Sequence, residues 1–429
     1  MPVRSTGRIP KYRLHKASKR AVVTLNGRVV YLGPYGTEES RAEYDRVVGE
    51  YLANGRRLPM HQAEGGQDGL TISELLAAYL RHARTFYLKD GKVTSEVDCI
   101  RCAARPLRRL YGLTPAAGFG PLALKTVRQE LINSDLSRKT VNGYVSRIKH
   151  MFKWAVANEI VLPSVYDGLS AVEGLREGRC DARETEPVHP VPDSMVDAVR
   201  PFVSRQVWAI IELMRLTGAR CGEIVIMRAC DLDMSGAVWQ YRPASHKTQH
   251  HGKRRTIDLG PKAQDVIRLF LKPDFGACLF SAADAVAEHR AEQRRNRKTR
   301  VQPSQRDRSK RNPKHRPGEH FTTDSLRRSI TNACDAAYPP PEPLGKRGDE
   351  TEAEWRKRLT EEQMAELAHW RRAHRWHPHQ LRHSFATRIR REYGIEAARI
   401  LLGHSSIATS ELYAEIDRER VKEVAAKVG

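Results

Sequence analysis

The spacing of apolar positions changes character along this chain, and each change marks a different kind of element. Near the N-terminus two short β-prone runs, Ala21-Val22-Val23-Thr24-Leu25 and Val29-Val30-Tyr31-Leu32, flank Asn26-Gly27. An Asn-Gly pair between such runs predicts a tight hairpin, because both residues accept the positive φ angles of a twisted hairpin turn. A further strand is expected near residues 11–15. Thr37-Glu38-Glu39-Ser40 then opens a helix that Thr37 can cap, with Tyr44, Val47, Val48 and Tyr51 at helical spacing. Residues 1–60 therefore read as a small module, a three-stranded sheet backed by one helix.

Residues 61–69, HQAEGGQDG, are polar and glycine-containing and read as a linker. From 70 to 170 the period is helical. Thr71-Ile72-Ser73-Glu74 starts a helix with Leu75, Leu76, Tyr79 and Leu80 behind it, and more helices are expected near 94–110, 122–133 and 138–160. In the last, Val141, Tyr144, Ile148, Met151, Phe152 and Ala155 form an apolar stripe, which reads as core. Residues 171–192 are charged and proline-containing, a second linker. Residues 193–429 read as one mixed α and β domain with two interruptions. The first, 290–316, holds twelve Lys or Arg and two acidic residues, a local net charge of +10, and is expected to be a loop. The second, 339–376, begins PPPEP and continues as a charged helix over 352–376. Between them, 322–338 has the spacing of a core helix.

Charge changes the picture from a fold to a partner. The chain has 429 residues, with 74 Lys and Arg against 51 Asp and Glu, a formal net charge of +23. Such an excess points to a polyanion, nucleic acid before all. Lys11, Arg13, Lys16, Lys19, Arg20 and Arg28 cluster on or near the N-terminal sheet, and a sheet can enter the major groove. Arg138 and Lys139, beside the apolar stripe, are further candidate DNA contacts. No stretch approaches the ~18 consecutive apolar residues of a membrane span, and the basic N-terminus has no apolar run behind it to make a secretory signal. Seven scattered cysteines form no disulfide framework and suit a reducing, cytoplasmic compartment. Cys99 and Cys102 make one CxxC with no second pair nearby, so no zinc site is expected there, and no acidic cluster with metal-binding spacing accompanies the candidate site residues, so no metal or cofactor is expected.

Four segments carry candidate chemistry. The first is Leu216-Thr217-Gly218-Ala219-Arg220-Cys221-Gly222-Glu223-Ile224. The second, Ser245-His246-Lys247-Thr248, lies between the expected strands Val238-Trp239-Gln240-Tyr241 and Arg255-Thr256-Ile257-Asp258-Leu259. The third is His379-Gln380-Leu381-Arg382-His383-Ser384, and the fourth Leu401-Leu402-Gly403-His404-Ser405-Ser406, with Tyr413 downstream. Singly, each has a duller explanation: Thr-Gly-Ala-Arg can be a glycine-capped helix end, His-x-x-Arg occurs by chance in a basic protein, and the run His374, His377, His379 and His383 by itself suggests a metal. Together, two arginines, a lysine and two histidines ahead of a tyrosine suit phosphodiester transesterification.

This ordered set resembles the signature boxes of the tyrosine recombinase, or phage integrase, family, over residues 70–425. The resemblance implies a mainly α multidomain protein with small β-sheets: a helical core-binding domain and a mixed α+β tyrosine recombinase catalytic domain. The N-terminal module resembles the arm-type DNA-binding domains of larger integrases. By that resemblance Arg220, Lys247, His379, Arg382, His404 and Tyr413 are the catalytic residues of a site-specific recombinase that works through a 3′-phosphotyrosyl link. Arg220 and Arg382 would neutralise the nonbridging phosphate oxygens, and Lys247 would protonate the departing 5′-oxygen. His379 would help move the tyrosine proton, and His404 would donate to a nonbridging oxygen. Glu223 would orient Arg220 or its helix. Lys253 is the alternative to Lys247, Tyr393 the rival of Tyr413, and Ser410 stands where the family often has Thr. The same resemblance implies double-stranded DNA as substrate, assembly as a tetramer on it, and an accessory DNA-bending protein as a further candidate partner. A C-terminal stripe of Val421, Val424, Ala425 and Val428 would dock on a neighbouring protomer. A type IB topoisomerase, a telomere resolvase or a non-catalytic DNA-binding regulator are the alternative functions.

Overall fold

A computed structural model of the chain describes residues 9–429 apart from 54–69, 90, 246–254, 301, 303–311, 313–315, 405, 412–421, 423, 424, 428 and 429. The chain divides into two compact units, Met1–Glu186 and Pro187–Gly429.

The first unit opens with an antiparallel sheet in the order β1 (Arg13–His15), β2 (Arg20–Leu25), β3 (Arg28–Pro34). Asn26 and Gly27 have φ of 48° and 81°, the paired positive values expected of the hairpin turn, and Leu25 pairs with Arg28 across it. Ala21, Val23, Leu25 and Leu32 pack against Val48 and Tyr51 of α1 (Glu38–Ala53). The other face is exposed at Arg13, Arg20, Val29 and Tyr31. The Tyr111 hydroxyl donates to Glu50 of α1 at 2.5 Å, so this module rests on the helices that follow.

Those helices are α2 (Ile72–Phe86), α3 (Glu96–Tyr111), α4 (Pro121–Asn133), α5 (Arg138–Ala157) and α6 (Pro163–Ser170), with a minimal hairpin, β4 (Leu88–Lys89) and β5 (Lys92–Val93), after α2. Thr71 and Glu74 form a reciprocal capping box at the start of α2. The α5 stripe is buried at Val141, Ile148, Met151, Phe152 and Ala155, with Phe152 stacked on Phe119 at 5.2 Å between ring centres.

The second unit runs α7 (Asp193–Ala198), α8 (Arg205–Thr217), α9 (Cys221–Ile224), β6 (Leu232–Asp233), β7 (Trp239–Tyr241), β8 (Ile257–Leu259), α10 (Pro261–Arg268), α11 (Ala282–Arg295) and α12 (Thr323–Ala337). It continues with α13 (Glu352–Arg358), α14 (Glu361–His374), α15 (Pro378–Tyr393), α16 (Ile395–Leu402) and α17 (Ile407–Glu411). The three strands form one antiparallel sheet in sequence order, with Trp239 opposite Leu259 and Tyr241 opposite Ile257. Ile210, Ile211, Leu213 and Met214 of α8 lie at the centre of the core, with Leu326, Ile330 and Cys334 of α12 in the same cluster.

Two expectations are corrected. Residues 290–295 are not loop but the last turns of α11, whose Ser281 side chain caps its start. The charged helix over 352–376 is broken into α13 and α14. Thr351 and Thr360 each make a capping box, with Glu354 and Gln363, so a second helix start interrupts the run. The break lets Trp355, Leu359 and Leu367 bury themselves with Leu344 in a small separate core.

Candidate active site

The site is built where two helix ends meet a third helix, all within the second unit. Helix α8 stops at Gly218, whose φ of 63° is left-handed, a conformation glycine adopts without steric cost. An added Cβ there would also run into the Phe385 ring. Ending α8 at that point leaves the Gly218 carbonyl free to accept from Arg382 Nη1 at 2.7 Å. Helix α16 stops at Gly403, again left-handed with φ of 66°. Its terminal carbonyls cannot be satisfied within the helix. Leu402 O accepts from Arg382 Nη2 at 2.7 Å, and Leu401 O accepts from both terminal nitrogens of Arg255 at 3.3 Å. Two guanidinium groups thus sit on the negative end of the α16 dipole.

Arg382 is fully buried, at 0% exposure, although it carries a permanent charge. Its third contact is to His404, with Nη2 2.8 Å from Nε2. A guanidinium can only donate, so Nε2 must be the accepting nitrogen and His404 must be neutral with its proton on Nδ1. The other side of the ring agrees: Nδ1 lies 2.9 Å from the Ser410 hydroxyl, which can accept that proton. Burial first, and then the charges of Arg382, Arg220 and Arg255, hold the imidazole down at a pKa of about 4. This arrangement differs from the expectation that His404 donates to a phosphate oxygen, since here Nε2 presents a lone pair. It also gives Ser410, buried on α17, a partner.

Arg220 is half-exposed on the turn before α9 and faces Glu223, whose carboxylate is almost completely buried. Glu223 Oε2 accepts from the Arg220 backbone N–H at 2.9 Å, and Oε1 accepts from Nη1 at 3.0 Å. The expected orienting role of Glu223 toward Arg220 has this geometry behind it. Tyr241 of β7 donates its hydroxyl to the Glu223 carbonyl at 2.5 Å, tying the sheet to the turn.

His379 is exposed on the first turn of α15, three residues before Arg382, with its ring edge-on to buried His383 at 5.3 Å. Lys247, Lys253 and Tyr413 lie outside the described residues, as do Val421, Val424 and Val428 of the C-terminal stripe. Tyr393 is 70% exposed near the end of α15. No group of residues suited to hold a metal ion occurs among the described residues. A pocket of about 410 Å³ lined by Leu216, Phe385, Ile389 and Leu401 adjoins these elements, but none of Arg220, Arg382 or His404 lines it.

Arg255 is the residue that sequence reasoning missed. It lies two residues before β8, and it enters the site because its side chain reaches the Leu401 carbonyl at the end of α16. Of the expected DNA contacts, Lys11, Arg13, Lys16, Lys19, Arg20 and Lys139 are exposed, and Arg28 begins β3. Arg138 is different: its guanidinium is engaged by Glu184 and, at 3.0 Å, by Glu177, with its side chain only 13% exposed. Ion pairs with two solvent-exposed glutamates occupy that charge.

Residues 351–420 match the phage integrase family, so the resemblance read from the motif boxes is borne out over the segment that spans the third and fourth boxes. The match opens inside the stretch expected to interrupt the domain. Among curated relatives, tyrosine recombinase XerC of Bradyrhizobium diazoefficiens is 52% identical over 50 residues, 11% of this chain and 16% of the relative. XerC of Haemophilus ducreyi is 42% identical over 53 residues, 12% of this chain and 17% of the relative. The matched stretch thus spans about a sixth of those relatives' length. Among solved structures, a lambda integrase dimer bound to a COC′ core site superposes with a TM-score of 0.53 at 13% identity, covering 98% of each chain. The Tn1549 transposon integrase in complex with transposon right end DNA gives 0.50 at 15% identity, covering 84% of this chain and 99% of that one. The fold is therefore that of these integrases: mainly helical and multidomain, with small sheets.

Proposed function

We propose that this chain, whose residues 351–420 belong to the phage integrase family, is a tyrosine-type site-specific recombinase that integrates a mobile element by cutting and rejoining double-stranded DNA. The observation that carries the reading is the Arg382 junction. One buried guanidinium binds the carbonyl of Gly218 in the first box, the carbonyl of Leu402 in the fourth, and His404 beside it. Segments more than 160 residues apart in sequence are thereby held around one positive charge. A buried arginine is costly to fold around unless its fork is matched by acceptors and its charge has a use. Neutralising a phosphodiester is such a use.

In the proposed reaction the Tyr413 oxygen attacks phosphorus, the bond from phosphorus to the 5′-oxygen breaks, and a 3′-phosphotyrosyl link forms. Lys247 supplies the proton to the 5′-oxygen, and His379 receives the one leaving Tyr413. Arg220 meets a nonbridging oxygen, and Arg382 adds positive charge from beneath. His404 is assigned a different part from the one first expected: it fixes the Arg382 fork, with Ser410 fixing the ring in turn. Attack by another strand's 5′-hydroxyl reverses the chemistry and reseals the DNA, which conserves the bond energy.

The sheet of β1–β3 is proposed as an arm-type DNA-binding surface and 70–170 as the core-binding domain, with 61–69 and 171–192 as linkers and 193–429 as the catalytic domain. A DNA-bound tetramer in the cytoplasm completes the reading, with precedent in lambda integrase, seen as a tetramer on a Holliday junction. The test is incubation with nicked suicide DNA. A covalent protein–DNA adduct is expected from the wild type and not from Tyr413→Phe; no adduct from either would leave a DNA-binding protein without this chemistry.

A further inference from the structure

Arg255 has no part in the reaction outlined above, yet it is seated as closely as the arginines that do. Its side chain is 8% exposed, and its Nε is buried with no hydrogen-bond partner among the described residues. The carboxylate oxygen Oε1 of Glu223 stands 3.9 Å from that Nε. The same oxygen accepts from Arg220 Nη1 at 3.0 Å. One buried carboxylate therefore lies between two guanidinium groups, bonded to the outer and just short of the inner.

This asymmetry matters once DNA arrives. Glu223 holds the Arg220 fork through Nη1, and a phosphate that takes that nitrogen displaces the carboxylate. Losing that bond would leave an ionised carboxylate, its side chain 3% exposed, hydrogen-bonded only to a backbone N–H, a costly state in a protein interior. We infer that Arg255 is a positioning residue that takes up the Glu223 carboxylate when Arg220 turns to a DNA phosphate, so that Arg220 is released without leaving a buried charge unpaired. The inference rests on the recombinase reading. The gap to be closed is about 1 Å beyond an ordinary N–H···O bond. Rotation of the carboxylate can close it while Oε2 keeps its 2.9 Å bond to the Arg220 backbone N–H.

Arginine suits this seat in a way lysine does not. Its terminal nitrogens stay on the Leu401 carbonyl while Nε, in the same rigid plane, faces Glu223. The seat is also tight. A Cβ at Gly403 would collide with the Arg255 guanidinium, so that glycine gives room to the arginine as well as turning the chain.

The experiment is single-turnover cleavage of a nicked suicide duplex carrying the core sequence selected from a random pool, with DNA affinity and thermal midpoint measured for every protein. Arg255→Met is expected to slow adduct formation by about tenfold or more while DNA affinity changes by no more than about twofold. Adding Glu223→Gln to Arg255→Met removes the stranded charge and is expected to recover part of the lost rate. Arg255 acting only as a tie to Leu401 predicts the opposite, a double variant as slow as Arg255→Met or slower. That result, or wild-type cleavage by Arg255→Met, overturns the inference. If Arg255→Met does not fold, the same comparison in the Arg255→Lys background decides, with slow cleavage and partial recovery by Glu223→Gln expected. A wild type that forms no adduct refutes the recombinase reading itself, and this inference with it.

Discussion

Acidification should show directly how His404 is held. Its imidazole is neutral because Arg382 donates to Nε2, and burial with three nearby arginines keeps it at a pKa of about 4 rather than the usual 6.5. Between those values the unfolded chain binds a proton that the folded one refuses. Stability is therefore unaffected by this group above pH 6.5 and falls as pH drops through the window, levelling off below pH 4. The full loss is about 3 kcal/mol, the free energy that separates a pKa of 6.5 from one of about 4. Other groups titrate over the same range, so the quantity to measure is the difference between wild type and His404→Gln in chemical denaturation at several pH values. Ring-nitrogen NMR of histidine-labelled protein, with His404→Gln identifying the signal among 17 histidines, gives the protonation state directly. The expected spectrum has the proton on Nδ1 throughout neutral pH. A His404 ring that titrates near 6.5, or carries its proton on Nε2, would refute the assignment of Arg382 as its donor.

Further expectations follow from the same contacts. Arg382→Lys keeps the charge but cannot reach Gly218, Leu402 and His404 together, and should cut adduct formation by about 100-fold in the suicide-substrate assay. Thr360→Ala removes the cap that starts α14 and should cost about 1 kcal/mol in unfolding free energy without changing cleavage chemistry. Arg13→Ala and Arg20→Ala, on the exposed face of the N-terminal sheet, should each lower the salt-dependence slope of binding to arm-type DNA by about one. Arg138→Ala, whose partners are Glu177 and Glu184, should instead lower stability and leave that slope unchanged.

Local chemistry made some of this molecule legible from its residues in order. Asn26-Gly27 announces its turn because positive φ at two successive positions is a property of those two residues. Thr71 and Glu74 announce a helix start because both partners of the capping box lie within one turn. The α5 stripe reads as core because its period is the period of the helix. The third and fourth boxes were legible for another reason, their resemblance to the signature of a family whose match covers residues 351–420.

What lies beyond one turn was decided by the tertiary structure. Arg138 and Arg20 are the same residue type in similarly basic stretches, but Glu177 and Glu184 come back to meet one of them from about 40 positions away. The break between α13 and α14 has a local signal in Thr360, yet the small core that uses the break depends on Leu344, which precedes α13. Arg255 carried no signal at all: its acceptor at Leu401 is 146 residues along the chain, and Glu223 is on another element. The sequence by itself determined the turns, the caps, the helical period and the chemical inventory of the site. Which charges are buried, which are paired, and which nitrogen of His404 holds the proton were set only when distant segments packed together. Desolvation and hydrogen-bond partnership are properties of the packed surroundings, and no residue carries them alone.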